Sequence, residues 1–280
     1  MSKKRAESLR ILFAASEVAP FAKTGGLGEV TGDLPRYIKK AGHDVRIVMP
    51  RYYSIDPVLF GLTRLPGILV VPMGKSSQMY CSVWQGHLPK STVPVYFLEH
   101  EELYGRDGIY GVNNEGFQDN DLRFIFLSRA TLELPKFLNW NPDLIHAHDW
   151  HTAAIPIYLN TLYRKEPRFA TTASILTIHN MQYQGNFPPA CMETLGIDWK
   201  HFNFLELEHH DRVNLLKGGI YHATLLNTVS RGYAREIQTP AFGWGLEGVL
   251  SDRKVDLRGI LNGVDYTEWN PEHDRYIPAH

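Results

Sequence analysis

His146-Ala-His148-Asp149-Trp150-His151 packs three imidazoles and a carboxylate into one short run. A run of the form H-x-H-x-D-H would be a zinc-hydrolase pattern, but here the Asp stands one position early. His146 and His148 alternate along a strand and so share one side, whereas His151 opens the following helix. A zinc site needs further ligands, and no second cluster is evident downstream. A metallo-hydrolase built on His146, His148 and His151 is therefore the weaker reading. Two others stand beside it. Asp149 with one of the imidazoles can line a polyol pocket, where a carboxylate accepts sugar hydroxyls. Equally, these residues can cap a helix over 152–163.

Lys23-Thr24-Gly25-Gly26-Leu27-Gly28 joins an apolar run to a helical pattern. Adjacent glycines allow close backbone approach, and a helix start presents N–H groups and a positive dipole end. With Lys23 beside them, these features suit a phosphate. The run is neither a P-loop, because the Lys precedes the glycines, nor G-x-G-x-x-G. An ordinary flexible turn is the competing reading. Thr177-Ile178-His179-Asn180 puts a second imidazole at a strand end, where one ring nitrogen can bind a hydroxyl. Leu261-Asn262-Gly263-Val264-Asp265 reads first as a tight turn. No nucleophile motif of the G-x-S-x-G kind occurs. Trp150, Trp244 and Trp269 suit sugar stacking and core packing equally.

The elements that must position these residues follow from short apolar runs ending in polar residues. Ile11–Ala15, Val45–Met49, Val95–Leu98, Leu144–His148, Ser174–Ile178 and Leu225–Val229 read as strands buried on both faces. Helical spacing falls between them. Leu27, Val30, Leu34, Tyr37, Ile38 and Ala41 mark one helix face, with Pro35 placed to kink it. A second helix is expected over 119–138 and shorter ones over 152–163 and 230–237. Alternation of this kind gives an α/β fold with a doubly wound, Rossmann-like parallel sheet. Residues 65–90, with Pro66, Pro72, Gly74, Gly86 and Pro89, break the rhythm and read as a β-hairpin insertion. Residues 100–118 read as a long surface loop. In such sheets ligands sit outside the carboxyl ends of the strands, which here carry Lys23, Arg51, His100, Asp149, His179, Asn180 and Arg231.

Composition narrows the function classes. The chain has 280 residues, 44% hydrophobic and 21% charged, with 29 Lys plus Arg against 30 Asp plus Glu. That is a globular balance able to build its own core. A formal charge of −1 argues against nucleic acid or an anionic membrane as general partners. Cys81 and Cys191 stand in unrelated contexts and form no disulfide framework. With no signal-peptide core and no membrane-spanning run, a soluble cytoplasmic protein is expected.

Taken together, residues 11–34, His146–His151, Thr177–Gly185, Leu216–Ile220, Val229–Ile237 and Gly259–Asp265 resemble the bacterial glycogen synthases and plant starch synthases. The combination of K-T-G-G-L with H-A-H-D-W-H is specific to that family. The resemblance runs from about residue 9 to the end. It implies a retaining glucosyltransferase of the GT-B architecture, two Rossmann-like domains facing across a cleft. Glucose would move from ADP-glucose to the non-reducing end of an α-1,4-glucan, without metal or other cofactor. It further implies that Asp149 and His179 are catalytic and hold the transferring glucose. Lys23, Gly25, Gly26 and Asn262 would serve the donor; Glu29, Asn180 and Tyr104 would lie on the acceptor side. Glu29 stands where the family usually has Asp, and Ala223-Thr224 where it has Ala-Asp. Residues 1–262 would be the amino-terminal domain and 263–280 the start of an interdomain linker. The nucleotide domain would be absent, leaving a chain that folds alone but does not turn over; a stand-alone, non-catalytic glucan-binding module is the alternative beside the metallo-hydrolase.

Overall fold

The short apolar runs pair with one another and are covered on both faces, so that even His146 and His148, which share one face of their strand, are buried. In the computed structural model, which describes residues 7–266, 270–272, 274 and 276–278, the strands begin with β1 (Arg10–Ala14). Helix α1 (Gly26–Lys40) leads to β2 (Asp44–Pro50). Then come β3 (Thr63–Arg64), β4 (Leu69–Met73), β5 (Ser77–His87) and β6 (Pro94–Glu99). After α2 (Glu101–Tyr104), the short β7 (Gly111–Val112) and β8 (Glu115–Gly116) form a small hairpin. Helix α3 (Asn120–Phe137), β9 (Leu144–His148), α4 (Ala154–Asn160) and β10 (Ala173–Ile178) follow.

The last third holds β11 (Asn186–Phe187), α5 (Cys191–Leu195), β12 (Glu208–His209), β13 (Arg212–Asn214), α6 (Leu215–His222) and β14 (Leu225–Thr228). It ends with α7 (Arg231–Glu236), α8 (Glu247–Asp252) and β15 (Leu257–Gly259). Strands β11, β13 and β12 make a separate antiparallel ribbon. The main sheet has the order β15-β14-β10-β9-β1-β2-β6-β5-β3, with β4 on β5. From β15 to β6 every pairing is parallel; β5 joins β6 antiparallel. The β4–β5 hairpin is thus the expected insertion, and it extends the sheet rather than standing apart. Chain order reverses between β1 and β9, so the crevice for a ligand opens at their carboxyl ends.

Three helices differ from the sequence expectation in instructive ways. Helix α3 is buried from Arg123 to Pro135 without a gap, because β4, α4 and α5 cover its sides. A stripe of Leu122, Phe126, Ala130 and Leu134 therefore understates it. Helix α1 runs through Pro35 to Lys40 and buries Leu27, Thr31 and Pro35, while Tyr37 is exposed. The helix expected over 152–163 is a 3-10 turn, Trp150–Thr152, followed by the shorter α4. Gly218 and Gly219 explain how α6 reaches α4: a Cβ on Gly219 would stand 2.7 Å from the Ala153 Cβ. Among the described residues no helix is long and apolar enough to cross a membrane.

Candidate active site

The end of β9 is strained where it meets the crevice. Asp149 has φ 54° and ψ −173°, a region that non-glycine residues rarely occupy. Its N–H still donates to the Thr177 carbonyl at 2.9 Å, continuing the β9–β10 ladder. The unusual backbone turns the side chain toward β10. There Oδ1 accepts the N–H of His179 at 2.7 Å and that of Asn180 at 3.5 Å. Burial raises the Asp149 carboxyl to about 7, and those two N–H bonds only partly offset it.

The imidazoles form a connected column. His146 and His148 stack at 4.3 Å between ring centres on one side of β9, as strand alternation requires. Thr177 Oγ1 donates to Asn227 Oδ1 at 2.6 Å, so it accepts from His146 Nε2, also at 2.6 Å. His148 Nδ1 meets His179 Nε2 at 3.0 Å. Burial lowers His179 to about 4 and His146 to about 3, and drives His148 well below the usual value. All three are neutral at pH 7. They offer hydrogen bonds, not positive charge. His151 packs instead between Tyr110, Phe124 and Trp150. The run His146–His151 therefore does not gather its nitrogens around one point. Among the described residues, metal-competent side chains converge only at His201, Glu206 and His222.

The Lys23–Gly28 loop is shaped by a residue that spacing does not reveal. Glu17 is buried, and its carboxylate accepts Thr24 N at 2.5 Å, Thr24 Oγ1 at 2.8 Å and Gly25 N at 3.2 Å. Tyr110 adds its hydroxyl at 2.5 Å. The only signal in the sequence is an acidic residue just past β1. Lys23 Nζ lies 2.5 Å from Glu29 Oε1, both partly exposed. A Cβ on Gly25 or Gly26 would meet nothing within 4 Å, and neither residue has positive φ. Neither packing nor backbone geometry calls for glycine there; both leave room for something to lie against the chain.

A cavity of about 1710 Å³ joins the Lys23–Gly26 loop to the His146–His148 column. Lys23, Gly26, Glu29, His148, Thr177 and Asn262 are among its walls. Asp149, His179 and Asn180 lie beyond it at the strand ends, connected to it through the His148–His179 bond. Asn180 is exposed, and its Oδ1 accepts the N–H of Gln182 at 2.9 Å.

Tyr104 requires a correction. It is wholly buried, and its hydroxyl donates to the Arg123 carbonyl at 2.7 Å. Buried Arg123 donates in turn to the carbonyls of Leu103 at 2.7 Å and Ile109 at 2.9 Å. That guanidinium draws the start of the 100–118 loop into the core, so Tyr104 offers nothing to a ligand; Tyr110 is the tyrosine of this loop that reaches the site. Trp150 is a core residue packed on Phe124 and Phe187, while Trp244 is exposed. Trp269 lies outside the described residues, as does part of the expected linker 263–280.

Comparison with known proteins converges on one family. Residues 10–252 match the starch synthase catalytic domain. The chain is 65% identical over 271 residues to glycogen synthase 1 of Geobacter sulfurreducens, covering 97% of this chain and 54% of that protein. With glycogen synthase 1 of Geobacter metallireducens it shares 62% identity over 273 residues, covering 98% and 54%. Its fold superposes with a TM-score of 0.87 on the catalytic domain of starch synthase IV from Arabidopsis thaliana bound to ADP and acarbose. The two are 31% identical, and the match covers 98% of this chain and 55% of that one. The chain thus spans about half the length of the relatives it matches. On sequence and fold alike, this chain belongs to the glycogen and starch synthase family of glycosyltransferases, whose catalytic-domain pattern fills most of it.

Proposed function

We propose that this chain supplies the acceptor-side half of a retaining glucosyltransferase that moves glucose from ADP-glucose to the non-reducing end of an α-1,4-glucan. The observation that carries this is the meeting of Asp149 and His179 at the carboxyl ends of β9 and β10, where β9 is also the strand that borders the reversal of strand order at β1. A neutral imidazole and a buried carboxyl suit sugar hydroxyls better than they suit phosphate. The starch synthase IV catalytic domain carries ADP and acarbose, a pairing that agrees with a nucleotide on one side and a sugar chain on the other.

In this reading His148 occupies one ring nitrogen of His179 and leaves Nδ1 for a glucose hydroxyl, the 6-hydroxyl by family resemblance. Asp149, oriented by the His179 and Asn180 N–H groups, accepts a second hydroxyl and shields an oxocarbenium-like transition state. Lys23 and the α1 start face the diphosphate, with Gly25 and Gly26 allowing its approach. Asn262 would complete the donor side; Glu29 and Asn180 would line the acceptor path. The leaving phosphate takes the acceptor's proton, so no protein base is needed. Most of the precision of such a reaction comes from two domains closing on the substrates. The 280-residue chain alone is therefore proposed to be inactive, in the cytoplasm as elsewhere.

The test is incorporation of labelled glucose into glycogen from ADP-glucose and, separately, UDP-glucose. A two-domain form that joins this chain to the carboxy-terminal half of a relative should elongate glycogen from ADP-glucose and form only α-linkages by NMR; the 280-residue chain should not. Turnover by the short chain within tenfold of the longer one would refute this division of labour.

A further inference from the structure

We propose that His201, Glu206 and His222 form a binding site for one divalent transition-metal ion, zinc above all, which would fasten the segment around Trp199–Glu206 to the end of α6. Glu206 Oε2 lies 2.6 Å from His201 Nδ1 and 3.0 Å from His222 Nε2, and all three ligand atoms fall within 4.8 Å of one another. Two imidazoles and one carboxylate form a donor set that zinc uses widely, with its fourth position left to water. The three residues are shielded but not sealed, with side chains 7–16% exposed, so an ion can enter and a water can remain.

The surroundings hold these donors in place. Asp198 accepts the Lys200 N–H at 2.9 Å and starts the 3-10 turn Trp199–His201. Asn203 Nδ2 donates to Glu206 Oε1 at 3.1 Å, fixing the carboxylate from behind while Oε2 faces the rings. Such outer bonds orient metal-binding carboxylates. The Asn160 amide donates to the His222 carbonyl at 2.7 Å. Of the nearby cations, Arg253 is spent on Asp256 and the carbonyls of Ile220, Tyr221 and Ala223, and Lys217 on the carbonyls of Phe204 and Glu208.

Without metal, both rings donate N–H to the same oxygen. With metal, His201 Nδ1 and His222 Nε2 must present lone pairs. If both rings are neutral, each moves its proton to its other nitrogen, and none leaves the protein. Tetrahedral zinc with bonds of about 2.1 Å sets its ligand atoms about 3.4 Å apart. The two rings therefore have to draw back from Oε2 by less than about 1 Å, which a loop-borne His201 can do. His222 stands just before β14, at the edge where the parallel strands begin, whereas Asp149 and His179 follow β9 and β10. The site is thus remote from the proposed reaction and does not rest on it.

The experiment is calorimetric titration of chelator-treated protein with zinc chloride, with melting temperature followed in parallel. One equivalent should bind and raise the melting temperature as zinc exceeds its dissociation constant. Cobalt(II) at the same site should give the visible absorption of four-coordinate nitrogen and oxygen ligation. His201→Ala, His222→Ala and Glu206→Gln should each weaken zinc at least about tenfold. Changing the adjacent His209 and His210 to Ala should leave binding unaltered. Glu206→Gln keeps the shape of the side chain, and its melting temperature in chelator shows that the variant is folded. Absence of zinc binding, wild-type affinity in all three site variants, or binding that depends on His209 and His210 would overturn the proposal.

Discussion

Asp149 Oδ1 accepts the backbone N–H of His179 at 2.7 Å, so the carboxylate that ends β9 is held by the residue that ends β10. The bond crosses from one parallel strand to its neighbour, and the strained Asp149 backbone makes it possible. Everything proposed for the reaction depends on that link and on its continuation to His148.

The glycines of the family-like segments should separate by role. Gly26→Ala adds a Cβ that meets nothing, so stability should change by no more than about 0.5 kcal/mol. In the two-domain form the same variant should weaken ADP-glucose binding. Gly219→Ala drives a Cβ into Ala153 and should cost about 1–3 kcal/mol, seen as a lower midpoint in urea. Equal destabilisation by both would show that Gly26 serves packing after all.

Glu17→Gln replaces one acceptor oxygen by an NH₂ facing groups that can only donate or prefer to. A buried donor left without an acceptor costs about 1–3 kcal/mol. Amide hydrogen exchange should quicken across residues 23–28 and around Tyr110, while the β4–β5 hairpin stays as protected as before. Unchanged exchange at residues 23–28 would mean that Glu17 does not hold the loop.

The parallel strands were legible because each is a short apolar run closed by polar residues, and the 65–90 hairpin because Pro and Gly interrupt that rhythm. The β11–β13 ribbon was not, since its strands are two or three residues long and find each other only after folding. Burial of Tyr104 was hidden by Arg123: an arginine on a helix reads as solvated, yet here it binds loop carbonyls inside the core. At the site, Asp149, His179 and Lys23 could be singled out because strand ends face the crevice. Glu17 could not, because its partners lie 7 and 93 residues away. Likewise His201, Glu206 and His222 follow no ligand spacing; a turn and a helix end bring them together.

Stability should fall as pH drops from about 6.5 toward 4. In that window the unfolded chain protonates its histidines while buried His146, His148, His151 and His179 stay neutral, so the unfolded state binds more protons. Asp149 acts oppositely: its carboxyl is raised to about 7, so the folded state takes up that proton first and gains relative stability on acidification. Four imidazoles outweigh one carboxyl. Calorimetric melting temperatures should therefore decline through this range, and more steeply in Asp149→Asn. A flat profile, or a shallower one in the variant, would contradict these directions.

The decisive measurement is kcat for glucose transfer to glycogen by the two-domain form, this chain joined to the carboxy-terminal half of a relative, carrying Asp149→Asn or His179→Ala. Each removes a contact proposed to strengthen in the transition state, and loss of one such contact lowers kcat by about 100- to 1000-fold. Asp149→Asn keeps an oxygen for the His179 N–H, so its melting temperature should stay close to the parent's. A fall of two decades or more in kcat with an intact fold is the expected result. Parental kcat in both variants, at unchanged melting temperature, would show that glucose is not transferred at the Asp149–His179 junction.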